Sequence, residues 1–397
     1  MKVLFFLGFP NPFPGAGWTR IGFFAKHFKD RGYKVAVIGI FSPKSLKMAG
    51  FRSWKGIPIY NVIPTLWIEN VFALIFNVLS SMILAPVIFL ALKPKVVILS
   101  LPTGEPTLGA YFASRFSHAK IVFDVRDEWE NYVIGKASSK AFKKVYKMLK
   151  TLMASLYDKA DLVVAVTYPI ARSLMLRGAN RVRIVPNGAD VNVFRPYEKD
   201  VTRIKLRLKN DDFIIVYEGG VGGYYRLDVV VRALARLDNE VRSKMRLLIV
   251  GSGDVPNLLV LAERLGLKDN VIYLGVENDK VAIAQIISAG DVGIVPYDAN
   301  PLWKDHVPAK FYEYCACGIP VIATVYNDSL LAKLIKEYGI GLTVSPMDSE
   351  KLAEAIFKMY QRPEFKRLGR KSRALIEKKF DRCKIAEKFL SMIKQIV

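Results

Sequence analysis

Four stretches of the chain combine residue types and spacings that could do chemistry. The richest is WKDHVPAKFYEYCACGIPV, from Trp303 to Val321. A helix beginning near Pro308 would hold Glu313 within it and leave Asp305 in the preceding loop. A loop carboxylate, free N–H groups at a helix start and a helix carboxylate can together hold hydroxyl groups and a phosphate. Spacing alone does not exclude an accidental acid pair. The second stretch is Glu218-Gly219-Gly220-Val221-Gly222-Gly223-Tyr224-Tyr225-Arg226. Glycines at Gly219, Gly220, Gly222 and Gly223 free the backbone to wrap an anion, and Arg226 can add positive charge. A turn seldom needs so many. The third, Phe123-Asp124-Val125-Arg126-Asp127-Glu128-Trp129-Glu130, follows a strand, where Arg126 and Asp127 either meet a ligand or pair with each other at a helix start. The fourth is the loop Asn11 to Arg20 with Gly15 and Gly17. It lacks the third glycine of a dinucleotide fingerprint, which removes a dehydrogenase reading, and a plain turn explains it almost as well.

The elements that must position these residues are strands alternating with helical patterns, which predicts an α/β fold with parallel sheets. Apolar runs occur at Val3–Leu7, Val35–Ile40, Val96–Leu101, Ile121–Val125 and Leu162–Val166, with a helix expected from near Ile21. After Phe194-Arg195-Pro196 the rhythm restarts with Phe213–Tyr217, Leu247–Val250, Val271–Leu274, Val292–Val295 and Val321–Ala323. Two domains are therefore expected, residues 1–198 and 199–375, followed by a terminal helix at 376–397 whose apolar stripe includes Ile385, Phe389 and Ile393.

Charge separates the halves. Residues 1–198 hold 27 Lys and Arg against 11 Asp and Glu, most of the net +23 of the chain. Such a field favours anionic partners. Nucleic acid is disfavoured, because the basic residues lie beside aliphatic surface without interleaved stacking aromatics. Lys136, Lys140, Lys143, Lys144, Lys147 and Lys150 line one side of a helix whose other side carries Phe142, Tyr146, Leu149 and Met153. That helix is either an ordinary surface helix or one that faces a membrane. Residues 70–92 contain no charge. They read as a buried helix ahead of the Lys93-Pro94 turn, with contact at a bilayer interface as the alternative. Three cysteines, two of them one residue apart at Cys315 and Cys317, suit buried thiols in a reducing compartment. The start of the chain reads as a first strand and not as a leader, so a cytoplasmic protein is expected, contact with the inner face of a membrane included. Only three Gln among many Lys and Glu suit a heat-adapted source.

Asp305, Glu313 and Gly318-Ile319-Pro320-Val321 resemble the signature of the retaining glycosyltransferases called family 4, of the GT-B fold. The likeness extends through Val185-Pro186-Asn187-Gly188-Ala189-Asp190, Leu248-Ile249-Val250-Gly251-Ser252-Gly253 and Asn270-Val271-Ile272-Tyr273-Leu274-Gly275. Arg126-Asp127-Glu128-Trp129 is similar to an element of bacterial amino-sugar transferases that build polysaccharides, where Arg126 stands in place of the usual histidine.

The resemblance implies two Rossmann-like domains facing across a cleft, with the terminal helix crossing back to the first. It implies a UDP- or GDP-linked hexose or N-acetylhexosamine donor bound by Gly15, Gly17, Gly220, Gly222, Arg226 and Lys310. Glu313 would take the ribose and Asp305 the donor sugar. Arg126 and Asp127 would stand at the reacting centre, with Asp127 positioning the acceptor or assisting proton transfer. No cofactor is implied, and the chain has no Asp-x-Asp pair to hold a metal. The implied partners are the donor and a lipid-linked or glycan acceptor on an anionic membrane surface. A nucleotide-sugar epimerase and a non-catalytic sugar-nucleotide-binding scaffold remain as alternatives.

Overall fold

The computed structural model describes residues 1–8, 16–101, 104–362 and 364–397. The chain divides into two compact units, Met1–Pro186 with Cys383–Val397, and Asn187–Arg382. In the first unit the strands are β1 (Lys2–Leu7), β2 (Lys34–Phe41), β3 (Gly50–Trp54), β4 (Ile57–Pro64), β5 (Val96–Leu101), β6 (Lys120–Val125), β7 (Leu162–Ala165) and β8 (Val182–Ile184). Among the described residues they form one sheet in the order β3-β4-β2-β1-β5-β6-β7-β8. All neighbours are parallel except β3 and β4. Central strands such as β1 and β5 are buried on both faces, which is why they read as continuous apolar runs. β4 alternates buried and half-buried residues and so escapes that pattern.

The second unit holds β9 (Phe213–Glu218), β10 (Met245–Val250), β11 (Val271–Tyr273), β12 (Val292–Pro296), β13 (Val321–Thr324) and β14 (Gly341–Val344). They form a parallel sheet in the order β11-β10-β9-β12-β13-β14. The order reverses between β9 and β12, and ligands of open α/β sheets bind beyond the carboxyl ends of strands at that reversal.

The units part at residue 186, ahead of the expected 198. Ala189 and Phe194 belong to the second core, and Arg373 donates to the carbonyls of Val191 (3.1 Å) and Phe194 (2.6 Å). Residues 376–382 also stay with the second unit, since Ile376 is buried there and the Ala189 N–H donates to Phe380 O at 3.1 Å. The terminal helix Arg382–Lys394 then joins the first core, with Phe389 against Phe24 and Phe28 at ring separations of 5.2 and 5.9 Å. The first helix, Ala16–Asp30, starts five residues ahead of the expected Ile21. Trp18 explains the difference, being buried in edge contact with Trp54 at 5.2 Å, a tertiary contact that extends the helix through Gly17 and Thr19.

Residues Val71–Leu92 form one helix, capped by Asn70, but the expectation of burial holds for one face only. Ala73, Leu74, Asn77, Ser81, Ala85 and Phe89 are buried, while Phe72, Ile75, Leu79, Ile83, Val87 and Leu90 are exposed. The buried face is fixed by helix Gly104–Phe116, where Gly109 lets the backbones meet. A Cβ at Gly109 would lie 2.3 Å from the carbonyl carbon of Ser81.

Candidate functional site

The glycine loop of the second unit leaves β9 at the reversal of strand order and is locked to the turn after β10. Gly219 N–H donates to Val250 O (2.9 Å), Val221 N–H to Ser252 O (2.8 Å) and Asp254 N–H to Val221 O (2.9 Å). This zipper explains Gly251 and Gly253. A Cβ at Gly251 would stand 1.9 Å from Gly219 O, and one at Gly253 2.1 Å from Val221 O. No side chain fits, because backbone faces backbone on both sides. A Cβ at Gly220 would meet nothing within 4 Å, so that edge of the loop is open, whereas one at Gly222 would abut Asp254.

Lys310, in helix Ala309–Ala316, reaches this loop from β12's side of the sheet. It is 3% exposed, and its Nζ has no hydrogen-bond partner among the described residues. The ammonium lies 3.5 Å from the ring centroid of Tyr225 and 4.0 Å from that of Tyr217, which hold it by cation–π attraction. Its Nζ would lie 3.1 Å from a Cβ at Gly219, so the glycine leaves room for the cation. Burial pushes its pKa down to about 7, against the pull of Glu218 and Glu313. Glu313, on the same helix, is buried and hydrogen-bonded to Glu218. Burial first, and then the neighbouring Glu313, push the Glu218 carboxyl up to about 8. Glu218 thus keeps its proton to near-neutral pH beside a lysine whose ammonium is weakened by burial, an arrangement in which an arriving anion would recharge Lys310.

Asp305 ends the short 3₁₀ turn Pro301–Asp305 and is exposed, while Glu313 sits inside its helix, the division expected from the spacing. The turn is held by Trp303, which is stacked on Tyr297 at 5.2 Å and donates from Nε1 to Asp298 at 2.5 Å. Arg226 is committed to Asp228, donating from Nε at 2.8 Å and from Nη2 at 2.7 Å. An anion at this loop must therefore share Arg226 with Asp228. Glu218, Tyr217 and Tyr225 were not singled out by their spacing. The signal that points to Glu218 is a carboxylate closing an otherwise apolar strand at the sheet's reversal.

In the first unit Gly15 lies outside the described residues, and Gly17 falls in the first turn of helix Ala16–Asp30. Arg126 and Asp127 directly follow β6. Arg126 Nε donates to Leu101 O at 2.9 Å, and burial lowers its pKa from the ordinary value. Asp127 Oδ1 accepts the Trp129 N–H at 3.1 Å, opening helix Trp129–Lys136. Asp124 beside them is structural. It is fully buried, paired with Arg20 at 2.9 Å and bonded to Ser100 Oγ at 3.2 Å, while Arg20 also holds the carbonyls of Val185 (2.8 Å) and Pro186 (2.9 Å).

Two Rossmann-like units in succession, with the last helix returned to the first, are the GT-B architecture. A family profile described as Glycosyl transferases group 1 matches residues 198–378, and one described as Glycosyltransferase Family 4 matches residues 19–193. The chain belongs to the group 1, family 4 glycosyltransferases. It is 31% identical over 208 residues to a D-inositol 3-phosphate glycosyltransferase of Mycobacteroides abscessus, a match covering 50% of this chain and 44% of that one. The chain thus spans less than half the length of that curated relative. Among solved structures, sucrose-phosphate synthase from Thermosynechococcus elongatus superposes with a TM-score of 0.74 at 18% identity, covering 100% of this chain and 98% of that one. Anabaena Alr3699/HepE in complex with UDP and glucose gives 0.73 at 19% identity, with 99% of each chain covered.

Proposed function

We propose that this protein transfers a hexosyl or N-acetylhexosaminyl group from a nucleotide diphosphate sugar to a lipid-linked or glycan acceptor, with retention and without a metal, on the cytoplasmic face of a membrane. The observation that carries the reading is Lys310, a buried ammonium without a hydrogen-bond partner among the described residues, aimed at an open glycine loop. A diphosphate supplies the missing acceptors, and its charge restores the proton that burial weakens. Glu313 takes the ribose and Asp305 the donor sugar. As the bond from the sugar carbon to the diphosphate oxygen breaks, the acceptor oxygen bonds to the same face and its proton passes to the departing diphosphate. Lys310, loop N–H groups and Arg226 stabilise the charge that develops there. Gly15 and Gly17 join in binding the donor, and Arg126 and Asp127 stand at the reacting centre, Asp127 positioning the acceptor nucleophile.

The first unit supplies a membrane-facing surface. Helix Val71–Leu92 is uncharged with an exposed apolar stripe, and helix Lys140–Asp158 carries Lys140, Lys143, Lys144 and Lys147 on its open side. Apolar area beside lysines fits an anionic bilayer. A specific observation favours one rival, a binding scaffold without turnover, namely that Arg226 is already engaged by Asp228.

The test is a thermal-shift panel of UDP-, GDP- and ADP-sugars, with and without EDTA, on the wild type and on Glu313→Ala. UDP-sugars come first because the HepE structure contains UDP and glucose. Stabilisation by one nucleotide class, unaffected by EDTA and lost in Glu313→Ala, supports the reading. Stabilisation without product from any acceptor selects the scaffold, and no shift from any donor overturns both.

A further inference from the structure

A cavity of about 310 Å³ opens at the carboxyl-end edge of the first sheet. Its walls come from Ile40 at the end of β2, Leu66 and Ile68 in the loop after β4, Val133 of helix Trp129–Lys136 and Phe142 of the lysine helix. Two polar side chains of its wall, Asn77 and Thr65, are already used. Asn77 Oδ1 accepts the Leu66 N–H at 2.7 Å and its Nδ2 donates to Leu66 O at 3.0 Å, while Thr65 Oγ1 donates to Phe41 O at 2.9 Å. What remains facing the space is largely hydrocarbon, which favours an apolar occupant over water. The volume lies at the small end of ligand pockets, about 300–1,000 Å³.

The rim is chemically different from the interior. Lys136 lines it, and the lysine helix that begins four residues later continues outward with Lys140, Lys143, Lys144 and Lys147. One acid, Glu69, is also among the lining residues. Trp67, 56% exposed, and Trp129 flank the opening. The cavity also connects to the bilayer-facing element, because Asn77 in its wall belongs to helix Val71–Leu92, whose next turns expose Leu79 and Ile83. An occupant with an apolar chain and an anionic group at one end matches this gradient from hydrocarbon to lysine.

We propose that the cavity seats the apolar chain of a phosphate-bearing lipid acceptor, whose phosphate meets Lys136 and which enters from the bilayer against helix Val71–Leu92. This rests on the acceptor half of the proposed function and narrows it to a single-chain lipid phosphate.

The test reads binding without any sugar donor, so it separates this claim from sugar transfer. Farnesyl phosphate, dodecyl phosphate, farnesol and inorganic phosphate are titrated into the full chain, following tryptophan fluorescence, since Trp67 and Trp129 flank the opening. Saturable binding is expected for either chain phosphate, weaker binding for farnesol and none for inorganic phosphate. Ala137→Trp, which fills the cavity, is expected to weaken chain-phosphate binding about tenfold or more, the scale of losing two buried methylenes. Its folding is checked by retention of the wild-type melting temperature and of stabilisation by the donor that binds the wild type. Lys136→Glu is expected to weaken farnesyl phosphate but leave farnesol unchanged. Wild-type affinity in Ala137→Trp, or no saturable binding of either chain phosphate, overturns the lipid seat, and a surviving donor response in that case leaves the transferase reading intact.

Discussion

The two units share one construction and put opposite chemistry at the carboxyl ends of their strands. In the second, the ends of β9 and β12 bring together Glu218, Glu313 and Lys310 behind a loop zipped to its neighbour by backbone hydrogen bonds. In the first, the corresponding edge holds an apolar cavity beside a helix whose outer face is uncharged and open. Buried charge needs a rigid surround, because each ion must keep its compensation. An apolar surface has no such requirement and can stay open until a partner covers it. On the proposed function, this difference divides rigid anion recognition from adaptable lipid contact.

The sharpest way to break this division is to insert a methyl at one tight glycine in each unit. Gly251→Ala would place a Cβ 1.9 Å from Gly219 O, at a backbone φ of +145°, and is expected to cost about 2–4 kcal/mol and abolish donor stabilisation. Gly109→Ala would press on Ser81 and Met82 and is expected to cost about 1–3 kcal/mol, with donor stabilisation retained and liposome binding reduced. Thermal melting with and without donor reads both, and an equal loss of donor response in the two variants would remove the distinction.

The buried charges carry a pH dependence of defined sign. Glu218, raised from 4.5 to about 8, binds a proton in the folded chain that the unfolded chain releases, so its contribution is complete below 4.5 and is lost as pH rises through about 8. Lys310, lowered from 10.5 to about 7, runs the other way, its contribution growing as pH rises between those values. Glu218→Gln also withdraws the pull of Glu218 on Lys310, which lowers the lysine further and costs the variant most at low pH, so the two effects have the same sign. The variant's gain in melting temperature is therefore expected to increase from pH 5 to pH 8, and a gain independent of pH would show that Glu218 is ionised throughout.

Smallest is the effect of single lysines on the first unit. Lys143→Glu or Lys147→Glu is expected to weaken co-sedimentation with anionic liposomes by about 1 kcal/mol for each lysine charge removed, more at low salt than at high, without altering donor stabilisation. Ile83→Asp, on the apolar stripe, should weaken it at every salt concentration. Wild-type co-sedimentation by Ile83→Asp would mean that the stripe faces something other than lipid.

The sequence revealed the alternation of strand and helix because central strands buried on both faces are continuous apolar runs. It hid β4, whose Pro58 and Pro64 read as strand breakers, and the short strands β3, β8 and β14, each of which lies at an edge of its sheet. Lys310 was pointed to by the family resemblance, whereas the glycine loop and the placing of Asp305 before, and Glu313 within, a helix were legible from local spacing. The pairing of Glu218 with Glu313, and the capture of Arg226 by Asp228, were not read from it. The first depends on two segments ninety-five positions apart meeting at a sheet reversal, and the second on a side-chain choice that spacing leaves open. Helix Val71–Leu92 shows the same limit from the other side, since composition announces an apolar helix and only packing shows which face is covered.

The central claim is that a buried lysine receives the donor's diphosphate. It is tested most directly by calorimetric titration of UDP, or of whichever nucleoside diphosphate stabilises the protein, into the wild type and Lys310→Met at pH 7.5 in two buffers of different ionisation enthalpy. Proton uptake is expected on binding to the wild type, and in Lys310→Met an affinity lower by about 2 kcal/mol or more with that uptake abolished. Equal affinity and equal proton uptake in the two proteins would contradict it.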